Sequence, residues 1–477
     1  QLEGTEYGCS NLTITGSGNT IDFGDTGRVG VMYFCDCGSK IDHSTISWNT
    51  EQAPIHKNWD MAITTEEQLR YFAILVNSGS SYAGKTITLG ADIDLEEREW
   101  TPIGREGNSF KGTFNGDIHK ISNLKIDKPR VSDVGFFGLT TEGEIKNLTI
   151  ENASVKGDLD VGVVAGTPYT SKYTGIRVIG HIEVEGVAYV GGVGGKNAYA
   201  DWTNITVDVE ESSYVKAESG AFRTYVGGVI GFMGEGKQTM TNIISNVDVF
   251  GSTCDVGGIV GIAHYENEFV NCSSSGNVTL VNATDEGDQL EIGGIAGVWM
   301  NSNAGSVSFI NCSYTGKLSS KLNDVPVEDG YYPYGGLIGF KYNRISDAGT
   351  LIIEMGGITN AVYVGIVDEI LKVGNGLSTN QSDYKDKTIV LMNNLDMTGK
   401  EWPSIVLTEK VGTLAFKGYG EDITISNLTI KEYSPEGSAG FISYTEKMKS
   451  LTFDGITFSN LSANVSSDIS GVGAFVG

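Results

Sequence analysis

Two stretches of the sequence decide the fold: Val226-Gly227-Gly228-Val229-Ile230-Gly231 and Val256-Gly257-Gly258-Ile259-Val260-Gly261. The same pattern, an apolar residue followed by a glycine pair and further apolar residues, recurs at Val190–Val193, Ile292–Gly297 and Tyr334–Gly339. Successive copies therefore start 36, 30, 36 and 42 residues apart. A period of about 20–50 residues is typical of solenoids, propellers and other repeat arrays.

The segments between the glycine pairs indicate which repeat architecture this is. Short strands of alternating polarity, such as Ile205–Val209 and Val247–Val249, are separated by turns rich in Gly, Asn, Asp and Ser. No helix recurs in each repeat, which excludes leucine-rich and ankyrin arrays, and the variable spacing does not suit propeller blades. The sequence therefore predicts an all-β, right-handed parallel β-helix, the hand following from the usual crossover chirality.

A second, longer repeat predicts how the chain is divided. Lys85–Leu95 matches Lys387–Met397, and Trp100 matches Trp402, at a constant offset of 387 − 85 = 302 residues. We predict a β-rich segment at 1–59 that resembles the tail of a preceding module. A complete β-helix module follows at 60–362, and the start of a second, truncated module at 363–477.

One segment has the pattern of an amphipathic helix. Thr64-Thr-Glu-Glu67 has the spacing of a capping box, and the residues after it form an apolar stripe at Leu69, Phe72, Ala73 and Val76. We predict a short capping helix over Thr65–Asn77 that covers the exposed end of the solenoid. A weaker helical pattern lies at Gly365–Gly374.

Composition limits the classes of partner. Lys and Arg number 33 against 59 Asp and Glu, so the net charge is −26, which disfavours nucleic acid and anionic lipid. No apolar run approaches the ~20 residues that span a bilayer, so no membrane insertion is expected. The 65 glycines with only 8 prolines exclude a disordered Pro/Gly chain. We expect an extracellular protein.

The motifs resemble a known family. The glycine pairs, followed by Asn271-Cys272-Ser-Ser-Ser-Gly276 and Asn311-Cys312-Ser-Tyr-Thr-Gly316, resemble the GLUG repeat of bacterial cell-surface proteins. Trp100-Thr-Pro-Ile-Gly104 is similar to the module that precedes such repeats, although Pro403-Ser404 departs from it in the second copy. The resemblance covers roughly residues 60–477. It implies a noncatalytic, adhesin-like stalk at the bacterial cell surface.

The cysteines do not form a metal motif. None of the six lies in a CxxC pair, and the spacing of Cys35 and Cys37 is too tight for an ordinary zinc half-site. Cys272 and Cys312 lie in equivalent repeat positions, so we interpret both as small buried apolar residues. A disulfide between Cys9 and either Cys35 or Cys37 remains open.

The sequence contains few candidates for catalysis. None of the five histidines lies in an HExxH motif, and no GxSxG motif is present. Two carboxylate pairs, Asp92 with Asp94 and Asp158 with Asp160, could serve a polysaccharide lyase or glycoside hydrolase, which is the alternative function. Asp94 recurs as Asp396 at the 302-residue offset, however, as a structural turn residue would. We therefore predict that the protein is not an enzyme.

Binding is the more plausible activity, because aromatic side chains stack on sugar rings. The predicted ligand-binding residues are aromatics in segments read as loops: Tyr331, Tyr332, Tyr334, Trp299 and Trp202, with Tyr169, Tyr173 and Tyr199 as further loop aromatics. The expected partner is a host or microbial glycan or a surface protein. An acidic loop has the oxygen density for a structural calcium ion, with Asp285, Glu286, Asp288 and Glu291 as its candidate ligands. No other cofactor is expected. A pure spacer that holds a distal domain away from the cell is the third hypothesis for the function.

Overall fold

Parallel β-structure dominates the protein. The computed structural model describes strand pairs at 20–21 and 47–48 and residues 62–475, apart from gaps at 219–223, 235, 253–254, 282–291, 302–305, 323–324, 327–336, 344–349, 355–360, 366, 420–421, 431–437, 464–470 and 473–474. Among the described strands, all pairings are parallel except one hairpin between Leu318–Leu322 and Val325–Pro326. The prediction of an all-β fold with parallel sheets is confirmed.

The glycine-pair segments stack on one another in register. Val161, Val190, Val226, Val256 and Ile292 are successive Cα partners in one sheet. The strands of this sheet are Val161–Gly162, Tyr189–Gly191, Tyr225–Gly227, Val256–Gly257 and Ile292–Gly293. The next segment of each repeat forms a seven-stranded sheet of Phe137–Thr141, Ala165–Tyr169, Gly194–Ala198, Ile230–Gly234, Val260–His264, Ala296–Asn301 and Ile338–Asn343.

The alternating segments before, between and after the glycine pairs form the most extensive set of paired strands. They comprise Thr86–Thr88, Ile93–Asp94, Thr113–Asn115, Lys120–Asp127, Glu144–Lys146, Thr149–Lys156, Lys172–Gly186, Asp201–Val209, Tyr214–Ala217, Gln238–Ser245, Asp248–Gly251, Asn267–Val270, Ser273–Ser274, Val278–Leu280, Ser306–Ile310, Ser313–Tyr314, Leu318–Leu322, Val325–Pro326 and Thr350–Glu354. Each repeat thus adds one layer of strands, and apolar side chains at matching positions pack in columns. Phe269 and Phe309, for example, stack with ring centroids 5.0 Å apart.

The two predicted core cysteines lie in this interior. Cys272 is fully buried and Cys312 is 1% exposed, and both are free thiols. Burial raises the pKa of the Cys272 thiol well above its usual range. The interpretation of both residues as small buried side chains is confirmed.

Asparagines with positive φ form a column of their own at the turns. Asn242, Asn271 and Asn311 all have φ between 53° and 56°. Asn271 Nδ2 donates to Asn242 Oδ1 at 3.0 Å, and Asn311 Nδ2 donates to Asn271 Oδ1 at 3.2 Å. Asparagine suits these positions because it tolerates the left-handed conformation and satisfies its amide on the neighbouring layer.

The predicted capping helix, α1, spans Glu66–Asn77. Thr65 is its N-cap and accepts a hydrogen bond from Gln68 N, while Gln68 Oε1 accepts one from Thr64 N. The capping box is therefore Thr65 with Gln68, one residue later than predicted. The apolar stripe of α1 packs into the main core cluster.

The second copy begins with a helix, α2, at Val367–Thr379. It extends past Gly374, the predicted end. A Cβ at Gly374 would lie 2.8 Å from the Trp402 ring, so this glycine allows the helix to pack closely against Trp402 and does not end it. The strand Ala361–Val364 precedes α2, and a 3₁₀ turn at Gln381–Tyr384 follows it. The described strands after this turn are Lys387–Leu391, Leu395–Asp396, Glu401–Trp402, Val406–Leu407, Thr413–Gly418, Ile423–Ser426, Thr429–Ile430, Ser438–Ala439, Tyr444–Thr445, Ser450–Asp454, Ile456–Ser459, Ser462–Ala463 and Gly471–Val472.

Equivalent tryptophans show that the 302-residue repeat is structural. Trp100 Nε1 donates to Phe136 O at 3.0 Å, and the two rings stack 5.1 Å apart at 11°. Trp402 Nε1 donates to Phe441 O at 2.7 Å, and those rings stack 4.5 Å apart at 11°. The predicted domain boundaries remain a prediction.

Candidate functional site

The two tryptophans predicted to bind ligand lie in the core, and the prediction that they occupy loops is wrong. Trp202 and Trp299 are both fully buried. The Trp202 ring stacks on Tyr173 at 4.2 Å, and Trp299 Nε1 donates to Tyr265 O at 2.8 Å. Tyr173 is likewise buried, with its hydroxyl 2.7 Å from Thr140 Oγ1. None of these rings is available to a sugar.

The remaining predicted site residues lie outside the described residues. These are the tyrosines Tyr331, Tyr332 and Tyr334 and the proposed calcium ligands Asp285, Glu286, Asp288 and Glu291. Within the described part of the chain, no group of three or more His, Cys, Asp or Glu side chains is placed to hold a metal ion. Both binding sites remain predictions.

The outer face of the seven-stranded sheet carries a row of side chains separate from the main core. The row runs through Lys196, Phe232, Ile262 and Val298, which are successive Cα partners. Ile262 and Val298 belong to a small separate apolar cluster, against which Phe232 packs. We call this row and the residues beside it the outer face.

Aromatic rings at the edge of the outer face pack against one another. Tyr189 and Tyr225 lie on neighbouring layers with centroids 5.4 Å apart and planes 1° apart. Phe232 meets both rings edge-on at 5.2 and 5.6 Å, and Lys196 Nζ lies 5.8 Å from the Tyr189 ring. Because these rings cover one another, they stabilise the face and leave little free ring surface.

Two other tyrosines on this side do present their rings to solvent. Tyr169 and Tyr199 are 42% and 43% exposed, and their centroids are 6.0 Å apart at 85°. Tyr169 ends a strand of the seven-stranded sheet, and Tyr199 follows the neighbouring strand with φ of 57°. A rigid sheet therefore holds a perpendicular pair of exposed aromatic rings.

Two carboxylates continue the column of Tyr189 and Tyr225 at the same edge of the outer face, and burial together with the charge of Asp160 raises the pKa of Tyr189. Asp133 and Asp160 precede Val134 and Val161, which are bridge partners, so they occupy neighbouring layers. Burial raises the pKa of Asp160 to about 7, and the negative charge of Asp133 adds to this shift. Burial also raises the pKa of Asp133, whose carboxylate accepts a hydrogen bond from the Thr167 hydroxyl.

The aspartates that the sequence analysis named as possible catalytic pairs have different surroundings in the structure. Asp160 interacts with Asp133, one layer away, which sequence spacing could not reveal. Asp94 accepts hydrogen bonds from Glu96 N and Asn123 Nδ2, and these bonds lower its pKa. Its counterpart Asp396 accepts bonds from Thr398 and Asn427 in the same way. Both residues stabilise turns, as their duplication predicted.

The raised pKa of Asp160 makes stability depend on pH. Between about pH 4 and 7 the folded state keeps a proton that the unfolded carboxyl has lost, so stability should fall as pH rises through this window. We expect Asp160→Asn to raise the melting temperature by a few degrees at pH 8 and to change it little at pH 4. Asp158→Asn is the control in thermal melts from pH 4 to 8. Equal pH dependence in both variants would contradict the assignment.

Comparisons with known proteins are limited to local or remote similarity. No family model matches the chain. Halomucin from Haloquadratum walsbyi is 40% identical over 105 residues, which is 19% of this chain and 1% of that protein. A crystal structure of a proposed immunoglobulin A1 protease from Bacteroides ovatus aligns over 62% of this chain and 83% of its own, with 17% identity and a TM-score of 0.32. Similarity this low extends neither fold nor activity to this chain. Separately, no helix among the described residues is long and apolar enough to span a membrane.

Proposed function

We propose that the chain is an adhesin-like segment of a bacterial cell-surface protein, noncatalytic toward the glycan it binds and built as a right-handed parallel β-helix of GLUG-type repeats. The in-register stacking of four glycine-pair strands on the related single-glycine strand Val161–Gly162 supports a continuous helix of this kind. Right-handed winding follows from the chirality of parallel crossovers. The net charge of −26 supports an extracellular location.

The proposed role of this scaffold is to hold a glycan or a surface protein against its side. The observation that carries this proposal is the exposed pair Tyr169 and Tyr199 on a rigid sheet. Exposed aromatic rings bury apolar area when a sugar ring stacks on them. Tyr331, Tyr332 and Tyr334 remain a second predicted contact region, and calcium at the acidic loop remains the predicted metal.

A glycan array tests the binding role. We expect the double variant Tyr169→Ala/Tyr199→Ala to lose about ten- to a hundredfold in affinity for the glycans that the parent binds, because two stacking surfaces are removed. Tyr444→Ala, which removes a tyrosine that is 36% exposed in the second copy, is the matched control. Binding that survives the double variant unchanged would contradict this site, and a parent that binds nothing would favour the spacer.

The Asp133 and Asp160 pair favours a second candidate, glycoside hydrolysis. Burial raises the pKa of Asp160 and the charge of Asp133 raises it further, so the two carboxyls lie close together, and retaining glycosidases likewise use two carboxyls that are ~5–5.5 Å apart. A carboxyl with a pKa of about 7, such as Asp160, suits a general acid. Reducing-sugar release that is lost in Asp160→Asn would establish this function in place of the noncatalytic one.

A further inference from the structure

Three polar side chains from adjacent layers meet on the surface of the large sheet. Ser212 Oγ lies 3.2 Å from His181 Nδ1, and His181 Nε2 lies 3.4 Å from Glu183 Oε1. His181 and Glu183 belong to the strand Lys172–Gly186, and Ser212 lies in the turn before the next layer's strand. Because Glu183 is the Cα partner of Tyr214, the register brings Ser212 beside His181.

The two contacts assign complementary roles to the imidazole nitrogens. The Glu183 carboxylate can only accept, so Nε2 carries the proton that it donates to Glu183. Nδ1 of the neutral ring is then an acceptor, and the Ser212 hydroxyl donates to it. A hydroxyl, a base that can take its proton and a carboxylate that orients the base form the arrangement of an activated nucleophile.

Backbone hydrogen bonds hold these groups in position. His181 N donates to Asn152 Oδ1 at 2.9 Å, and Ile182 N donates to the buried Ser213 hydroxyl at 3.1 Å. Ser213 N donates to Glu210 O at 2.9 Å, which closes the turn that carries Ser212. The side chains themselves are open to solvent, with His181 40% and Glu183 45% exposed.

We propose that Ser212 is the nucleophile of an ester-hydrolysing site, with His181 as its general base and Glu183 as a positioning residue. Ser212 Oγ bonds to the ester carbonyl carbon as its proton passes to His181 Nδ1, and His181 returns that proton to the departing alkoxide as the C–O bond breaks. Water then hydrolyses the acyl-serine by the same proton route. The carboxylates of Glu183, Glu210 and Glu211 around the site select neutral or cationic esters over anionic ones.

Covalent labelling tests this proposal on the intact chain. A fluorophosphonate probe is expected to label Ser212, located by peptide mass spectrometry, and p-nitrophenyl acetate to be hydrolysed above background. Ser212→Ala should abolish both signals, and His181→Ala should slow labelling at least tenfold. Ser154→Ala is the matched control, since Ser154 is an exposed serine on the strand paired with Glu183.

The role of Glu183 requires a readout other than folding. Glu183→Gln is expected to slow labelling and to move the acid limb of its pH–rate profile, whereas a purely structural effect would lower the labelled fraction without moving that limb. Unlabelled Ser212 in the folded parent, or labelling that is unchanged in His181→Ala, would overturn the proposal. Glycan binding through Tyr169 and Tyr199 should be unaffected by Ser212→Ala, so the two proposals fail separately.

Discussion

An Ile259→Asp variant is expected to lose the cooperative unfolding transition of the repeat region. Ile259 is fully buried, and its carbonyl accepts hydrogen bonds from Val229 N and Ile230 N, while its own N–H donates to Ile295 O. The side chain therefore lies in the interior between two neighbouring layers, without a polar partner for a carboxylate. Burying an unpaired charge costs several kcal/mol, a large share of the 5–15 kcal/mol that stabilises a typical domain.

Thermal melts followed by circular dichroism measure this effect. The matched control is Ile244→Asp, because Ile244 is an isoleucine of the same repeat region that is 53% exposed. We expect the control to melt within a degree or two of the parent and the Ile259 variant to melt far lower or not to fold. If both variants melt like the parent, the inward position of the glycine-pair isoleucines is wrong.

The repeat pattern predicted the strand layers because each repeat obeys the same local rule. Stacked units must place apolar residues at equivalent positions. The recurring valines and isoleucines of the glycine-pair motifs were therefore sufficient to predict that these residues stack on one another. The cap of α1 was predicted one residue too early, because two consecutive threonines, Thr64 and Thr65, both suit an N-cap, and the structure uses the second.

The misplaced tryptophans show where the pattern fails. Trp202 lies in the strand Asp201–Val209, in which Ile205, Val207 and Val209 alternate inward. Asn204 has φ of 57° and resets this alternation, so Trp202 points inward although it is three residues before Ile205. The alternation predicted a strand that begins at Ile205, so Trp202 was assigned to the loop before it.

The candidate chemistry was not accessible from the sequence because it is non-local. His181 and Ser212 are 31 residues apart, and Asp133 and Asp160 are 27 apart, so neither pair forms a recognisable motif. What brings each pair together is the register between two layers, which depends on the length of the turns in that repeat. The spacing of the glycine pairs gives the length of each repeat. It does not give the register between neighbouring layers, which is set by packing.

The close packing at the glycine pairs leads to a second prediction with a large expected effect. Gly257→Ala should prevent the layer that contains this residue from stacking stably. A Cβ built at Gly257 would lie 1.9 Å from Val260 O and 2.8 Å from Gly297 N. Both are backbone atoms that are fixed by the sheets, so no side-chain rotation can relieve the overlap. The neighbouring Gly258 is as tightly confined, with a Cβ there 2.1 Å from Gly294 O, which explains why the motif requires two glycines.

We expect Gly257→Ala to lower the melting temperature by more than about 10 °C and to make the repeat region sensitive to limited proteolysis. The control is Gly399→Asn, because a Cβ at Gly399 meets no atom within 4 Å and asparagine tolerates its φ of 73°. A single methyl group should thus be far more damaging at Gly257 than a whole amide side chain at Gly399. If instead Gly257→Ala melts like the control, the close backbone approach that defines the glycine-pair repeat would not exist, and its periodicity would need another physical cause.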